Sequence, residues 1–260
     1  MTAACQHGRV TRVSTSQIDR LGERLRTSDA IEAADLDLLQ AYRAEHEEAL
    51  IQVQTRLSQA LRDVDQTARI KTIQTLHDKV RRQPTKLSRI QDIGGVRIVQ
   101  AMDLLEQDAM VSDITREFQG SRLVDRRARP MHGYRAAHVV VRVGRCWIEI
   151  QVRTQSQHLW AEVVERLGDR WGRDIRYGGI PSSGAQTIDG STTRLEFWEI
   201  VQGTGRSLAI IEEMAATQTM AVDSGEAPVG MDRATLAEIQ TGIHQVLGEW
   251  LEYVTTSPEL

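Results

Sequence analysis

The chain has 260 residues, with 32 Lys plus Arg against 36 Asp plus Glu and only two cysteines. That length can bury a core without disulfides, and Cys5 with Cys146 offers no zinc-ligand spacing, so a reduced, cytoplasmic protein is expected and a zinc site is excluded. No signal-peptide core opens the chain and no run approaches about 18 consecutive apolar residues, which excludes export and membrane spanning, while the net charge of −4 argues against a general nucleic-acid coat.

Residues 1–15 are polar and aperiodic. From Asp35 to about Val64 the apolar positions Leu36, Leu39, Leu50, Val53, Leu57, Leu61 and Val64 recur at threes and fours, predicting a long amphipathic helix with a polar break near His46. A second helix is predicted over Lys71 to Arg82 and ends before Pro84. The β-branched run Gly95 to Val99 reads as a buried strand, Leu104 to Phe118 as a helix and Ser121 to Arg127 as an edge strand. His138 to Val143 and Cys146 to Arg153 form a hairpin across Gly144-Arg145, followed by a helix from Gln155 to Arg173. The glycine-rich stretch from Tyr177 to Thr193 is expected as a mobile or functional loop. Helices over Arg194 to Met220 and Asp232 to Val254, separated by a turn-rich linker from Asp223 to Pro228, close the chain. The order predicts an α/β (α+β) fold, a mixed sheet flanked by N- and C-terminal helices. Its expected parts are an N-terminal segment with a short helix (1–34), a sheet-bearing core (35–193) and a C-terminal helical segment (194–260).

Positive charge is concentrated mid-chain. Gln66 to Val99 holds eight basic residues against two acidic ones, and Gly120 to Arg145 seven against one. Such clustering in an otherwise acidic chain fits a polyanionic ligand, phosphate above all, or else a solvated face. In the second hairpin strand, side-chain alternation sets Ile148, Ile150 and Val152 on one face and Glu149, Gln151 and Arg153 on the other. A two-residue turn would place His138 opposite Gln151 and Val140 opposite Glu149 on that polar face, an arrangement an ordinary half-exposed sheet also produces. Asp92, just before the glycine-flanked strand, is either a turn residue or a carboxylate that joins Glu149 in holding Mg²⁺, which prefers one or two carboxylates plus substrate phosphate oxygens.

The string Arg69-Ile70-Lys71-Thr72-Ile73-Gln74-Thr75-Leu76-His77-Asp78-Lys79, followed by Asp92-Ile93-Gly94-Gly95-Val96-Arg97-Ile98, resembles the start of the RelA/SpoT alarmone synthetase domain. Gly133-Tyr134-Arg135-Ala136-Ala137-His138, Glu149-Ile150-Gln151-Val152-Arg153-Thr154 and His158-Leu159-Trp160-Ala161-Glu162 follow in the family's order, so the resemblance covers about residues 65 to 175. It implies a nucleotidyltransferase-like synthetase core and a (p)ppGpp synthetase of the GTP diphosphokinase type, moving the β,γ-diphosphate of ATP to the 3′-hydroxyl of GDP or GTP. Carried over by position, Arg69, Lys71, Lys79 and Arg82 would bind ATP. Asp92 and Glu149 would hold Mg²⁺ and serve catalysis. Tyr134 would stack on the acceptor base, with His138, Gln151, Arg97 and His132 around it.

The chain departs from the family at the acceptor side. His132 stands where the family commonly has Asn, a usual upstream lysine is missing although Arg126, Arg127 and Arg129 could replace its charge, and Glu165 stands for a usual His. With only two helices after the matching region, a small, single-domain synthetase is expected, and the acceptor-side departures keep a second reading beside it: the toxic subgroup that pyrophosphorylates the 3′ end of transfer RNA or adenine nucleotides, with an antitoxin partner. A third reading is a catalytically silent nucleotide-binding regulatory module. A homo-oligomer is compatible with the terminal helices, and no helix-turn-helix pattern supports DNA binding. His77-Asp78 lies on the helix of Lys71 and Lys79 and is not read as a metal site. His158, Trp160, Cys146, Trp171, Trp198 and Trp250 are read as packing residues.

Overall fold

A computed structural model describes residues 13–62, 64–184, 186–188, 190–225 and 230–257. Cys5, most of the polar N-terminal stretch and the Glu226 to Pro228 part of the expected linker lie outside them. The secondary structure runs α1 (Thr15–Thr27), α2 (Ala33–Ala60), β1 (Gln66–Ile70), α3 (Ile73–Arg82), β2 (Gly94–Gln100), α4 (Leu104–Glu117), β3 (Arg122–Asp125), β4 (Ala137–Val143), β5 (Cys146–Thr154), α5 (Gln155–Trp171), α6 (Arg194–Asp223) and α7 (Arg233–Thr256). The five strands make one mixed sheet in the order β1-β2-β5-β4-β3. The predicted fold class holds. By contacts the chain divides into two units, one containing the residues up to Arg56, Ala68–Val96 and Val140–Glu149, the other Leu57–Thr67, Arg97–Val139 and the residues from Ile150 onward.

In the first unit, α1 starts at a capping box in which Ser14 accepts from the Gln17 backbone and the Gln17 side chain accepts from the Ser14 backbone N–H. Ile18, Leu21 and Leu25 pack with Leu39 and Tyr42 of α2, Leu76 and Val80 of α3, and Leu87, Ile90 and Ile93 of the segment leading into β2. Gly22 permits that packing, since a Cβ there would stand 2.8 Å from Leu87 Cβ. The break expected near His46 does not occur. Its Nδ1 donates to the Tyr42 carbonyl one turn back (2.9 Å) and its ring meets Tyr42 edge-on, so the helix itself satisfies one of the two ring nitrogens and runs through. Lys71 and Thr72 are not helical as expected; Thr72 caps α3 by accepting from Thr75 N, and the short strand β1, which the sequence reading did not assign, comes just before.

In the second unit, Trp160, Val163, Val164, Leu167 and Trp171 of α5 pack with Phe197, Trp198, Val201 and Leu208 of α6 and Leu247 and Val254 of α7. Trp171 and Trp198 are core residues, as expected, and Phe197 meets both Trp171 and Trp250 edge-on. The loop expected between Tyr177 and Thr193 is tied down in its described part. Ser182 N donates to the Trp171 carbonyl (2.9 Å), Thr187 bridges Thr193, and Ile188 is buried with its carbonyl accepting from Tyr253 Oη (3.0 Å). Among the described residues no helix is long and apolar enough to cross a membrane.

The hairpin strands differ from expectation in how much of them is buried. β5 alternates buried and half-buried residues from Cys146 to Val152, then breaks the pattern at Arg153, which is only 2% exposed. In β4 every residue from Ala137 to Val141 is buried, so Val140 does not sit on a polar face. β4 lies between β5 and β3 in the sheet, and both of its faces are covered from Ala137 to Val141, whereas β5, also interior, leaves alternate residues half-buried.

Burial lowers the His46 pKa from its usual 6.5, and burial likewise lowers those of His158 and His244. The unfolded chain therefore binds more protons than the folded one just below that value, so stability falls as pH falls through about 6.5. Urea unfolding at pH 7.5 and 5.5 should show this loss, and His46→Leu should reduce the difference, because it removes one of the groups whose pKa burial lowers.

Candidate active site

Charge gathers in the first unit around Asp92. Lys71, just past β1, and Lys79, two turns into α3, both reach its carboxylate: Lys79 Nζ donates to Oδ1 (2.6 Å) and Oδ2 (2.5 Å), and Lys71 Nζ lies 3.2 Å from Oδ2. Backbone bonds set the spacing. Lys71 N donates to the Ile93 carbonyl (2.8 Å), and Arg43 Nε of α2 donates to the Lys71 carbonyl (3.0 Å). The orientation of α3 is fixed by the burial of Leu76, His77 and Val80, His77 Nε2 reaching the Leu25 and Ser28 carbonyls. His77 is thus a structural residue. Arg69 is exposed on β1, while Arg82 is exposed at the end of α3 and donates through Nε to the Asp78 carbonyl (3.3 Å).

Glu149 is half-buried on the polar side of β5. A Cβ at Gly95 would lie 3.2 Å from the Glu149 carbonyl oxygen, which places Glu149 beside a β2 position without a side chain, three residues along from Asp92. Asp92 and Glu149 each offer hard oxygen donors. Among the described residues no three His, Cys, Asp or Glu side chains form a metal cluster, so a cation here would take its remaining ligands from water or phosphate oxygens. That donor set suits Mg²⁺.

The second unit holds the other cluster. Met131 and Tyr134 pair across a tight turn whose central residues, His132 and Gly133, have φ of +51° and +84°. Two left-handed residues in succession define a type I′ turn, which favours Asn then Gly and tolerates His. His132 thus meets a backbone demand that Asn would also meet. Gly133 is required twice over, since a Cβ there would stand 2.9 Å from the Trp160 ring. The turn delivers Tyr134, whose Oη is 2.8 Å from His138 Nε2. Arg153 Nη2 donates to Tyr134 Oη (2.9 Å) and to Gln151 Oε1 (3.0 Å), and its guanidinium lies 5.1 Å from the Tyr134 ring centroid. Because Arg153 only donates, the phenol can pass its own hydrogen to His138, an arrangement that selects the Nδ1–H tautomer of a neutral imidazole.

Of the expected acceptor residues, Tyr134, His138 and Gln151 are therefore gathered, and Arg153 joins them. His132 is exposed, with its ring against Gly178, where a Cβ would be 2.4 Å from the imidazole. Arg97 is engaged by α5: Nη1 donates to Glu162 (2.7 Å) and Nη2 lies 3.9 Å from Glu165. His158, whose pKa is lowered mainly by burial, stands 3.9 Å from Glu162. Arg127, expected as a replacement for the missing lysine, pairs with Asp108 (2.6 Å) and Asp125 (2.8 Å). Although burial would raise the Asp125 pKa, the hydrogen bonds from Arg127 hold it below its usual value.

Two features escaped the sequence reading. Period-two alternation marks Arg153 as polar-face but carries no sign that it is buried. Nor does any local pattern reveal the buried polar network at the end of β5, in which Thr154 Oγ1 donates to Glu212 (2.5 Å), Gln157 Nε2 lies 3.3 Å from the same carboxylate, and Gln107 Nε2 bonds Gln157 and the Val152 carbonyl (both 2.9 Å).

Residues 68–167 match the region found in RelA/SpoT proteins. Uncharacterised proteins of Mycobacterium bovis and of Mycobacterium tuberculosis strain H37Rv are each 43% identical to this chain over 118 residues. The match takes in 44% of this chain and 43% of the length of those relatives. The crystal structure of the small alarmone synthetase 1 from Bacillus subtilis superimposes with a TM-score of 0.50 at 19% identity, covering 74% of this chain and all of that one, a likeness of fold.

Gly133→Ala should cost about 1–3 kcal/mol in urea unfolding, since the new side chain is strained at positive φ and meets Trp160. Gly144→Ala is the control: its φ is +59° but nothing lies within 4 Å, so only the backbone penalty remains and the loss should be smaller.

Proposed function

Taking residues 68–167 as a RelA/SpoT-type synthetase domain, we propose that the protein is an ATP:nucleotide 3′-pyrophosphokinase that transfers the β,γ-diphosphate of ATP to the 3′-hydroxyl of GDP or GTP, yielding (p)ppGpp and AMP. The observation that carries the reading is the Asp92 carboxylate held between two lysine ammonium groups, with Glu149 beside the bare Gly95. Diphosphate transfer develops negative charge on oxygen, and fixed cations stabilise that charge without reorganising during the reaction.

In this reading Lys71 and Lys79 leave Asp92 for the ATP phosphates, and Arg69 and Arg82, both exposed, complete the grip on the donor. Asp92 and Glu149 hold Mg²⁺. When bound, the ion neutralises phosphate charge and acidifies a hydroxyl near it. The acceptor's 3′-oxygen bonds to the β-phosphorus, the bond from that phosphorus to the α,β-bridging oxygen breaks, AMP leaves, and Glu149 accepts the hydroxyl proton. Tyr134 stacks on the acceptor base while His138 and Gln151 hydrogen-bond the acceptor. Arg97 reaches a nucleotide only by loosening its bonds to Glu162 and Glu165.

A second acceptor class is favoured by one observation. His132 lies against Gly178 and Arg127 is committed to Asp108 and Asp125, so the usual Asn is replaced and, of the three arginines expected to stand for the missing lysine, Arg126 and Arg129 are left for that role. The transfer RNA 3′ end or an adenine nucleotide then takes the place of GDP or GTP, with the same donor chemistry.

Purified protein with γ-labelled ATP, Mg²⁺ and, separately, GDP, GTP, AMP or bulk transfer RNA should label GDP and GTP. Label confined to AMP or transfer RNA would replace the first acceptor class by the second. Glu149→Gln and Asp92→Asn should each lower transfer by about 10²–10⁴-fold with unchanged circular dichroism, and activity equal to wild type in both would remove the proposed site.

A further inference from the structure

Arg153 is among the largest fully buried side chains of the protein, yet among the described residues no carboxylate pairs with it, and its Nε and Nη1 have no hydrogen-bond partner. Two neutral oxygens, on Tyr134 and Gln151, share Nη2. A buried cation with unsatisfied donors opposes folding, and replacing such a group by an apolar side chain of similar volume is often neutral or stabilising. Stability therefore gives no reason for an arginine here. Its contacts give another: it hydrogen-bonds the phenol, stacks on the ring and binds Gln151, touching two of the three residues assigned to the acceptor.

We propose that Arg153 is a positioning residue of the acceptor site, holding the Tyr134 ring at a fixed tilt and directing its hydroxyl to His138 at a net cost in stability. A planar guanidinium suits this role because it stacks and donates at once, which neither lysine nor a neutral amide does. Without it, Tyr134 loses the hydrogen bond to its hydroxyl and the cation over its ring, and the acceptor loses part of a preformed surface. ATP, assigned to Lys71 and Lys79, loses nothing. The inference rests on the reading of Tyr134 as the acceptor's stacking partner.

The test is Arg153→Met, alone and with Tyr134→Phe, assayed with γ-labelled ATP and whichever of GDP, GTP, AMP or transfer RNA the wild type labels best. Expected are a melting temperature equal to or above wild type, an acceptor KM raised about tenfold or more, and an ATP KM within about twofold. In the Tyr134→Phe background the same substitution should cost markedly less, since the hydroxyl through which it acts is gone. A lower melting temperature, an unchanged acceptor KM, a parallel rise in ATP KM, or full additivity with Tyr134→Phe each overturns the proposal. A wild type that labels no acceptor removes the enzymatic reading and this inference with it, whereas a labelling wild type with any of the preceding results removes this inference alone.

Discussion

Two ammonium groups brought to one carboxylate form the constraint on which the proposed donor site depends. Lys71 and Lys79 are both positive, and Asp92 is the charge that lets them approach each other. Each is anchored separately: Lys71 by the backbone bond to Ile93 and by Arg43, Lys79 by a helix whose rotation Leu76, His77 and Val80 settle through burial. The Thr72 cap lies between them and sets where α3 begins, and thereby where along the helix Lys79 falls. In the proposed function the same two ammonium groups would exchange the Asp92 carboxylate for phosphate oxygens.

Much of this was legible in the sequence, and the failures share a cause. β2, the hairpin, α4 and the C-terminal helices carry clear periodicity, and the structure has them within a few residues of their expected bounds. β1 did not register because Gln66–Ile70 is polar and largely exposed at the sheet's end, where little burial imposes alternation. His46 read as a break because a polar residue on an apolar face looks like an interruption, whereas i to i−4 bonding to Tyr42 makes it compatible with burial. Arg153 shares the face of Gln151 as expected, but its burial, like that of Val140, was not foreseen. Alternation tells which side of a strand a residue takes, not whether that side is covered.

The site residues were legible to a similar degree. Ordered motifs singled out Asp92, Glu149, Lys71, Lys79, Tyr134, His138 and Gln151, and the structure brings three of these together around one carboxylate and Tyr134, His138 and Gln151 into a second cluster. Arg97 and Arg127 show what a motif does not contain. Their partners, Glu162 and Glu165 in one case and Asp108 in the other, come from separate elements, so only three-dimensional proximity reveals that their charge is already answered. The same holds for Glu212, whose pKa is raised by burial and which binds Thr154 and Gln157 from a helix expected to be a separate C-terminal segment.

The turn at His132 and Gly133 has an evolutionary corollary. Position 132 is screened by the backbone before chemistry has any say, because its torsion angles admit few residue types without strain: glycine, asparagine, aspartate and histidine. Sequence change at this corner can therefore draw on only a handful of functional groups, an amide, a carboxylate, an imidazole or none. Innovation beyond that alphabet has to come from elsewhere in the chain or rebuild the loop altogether.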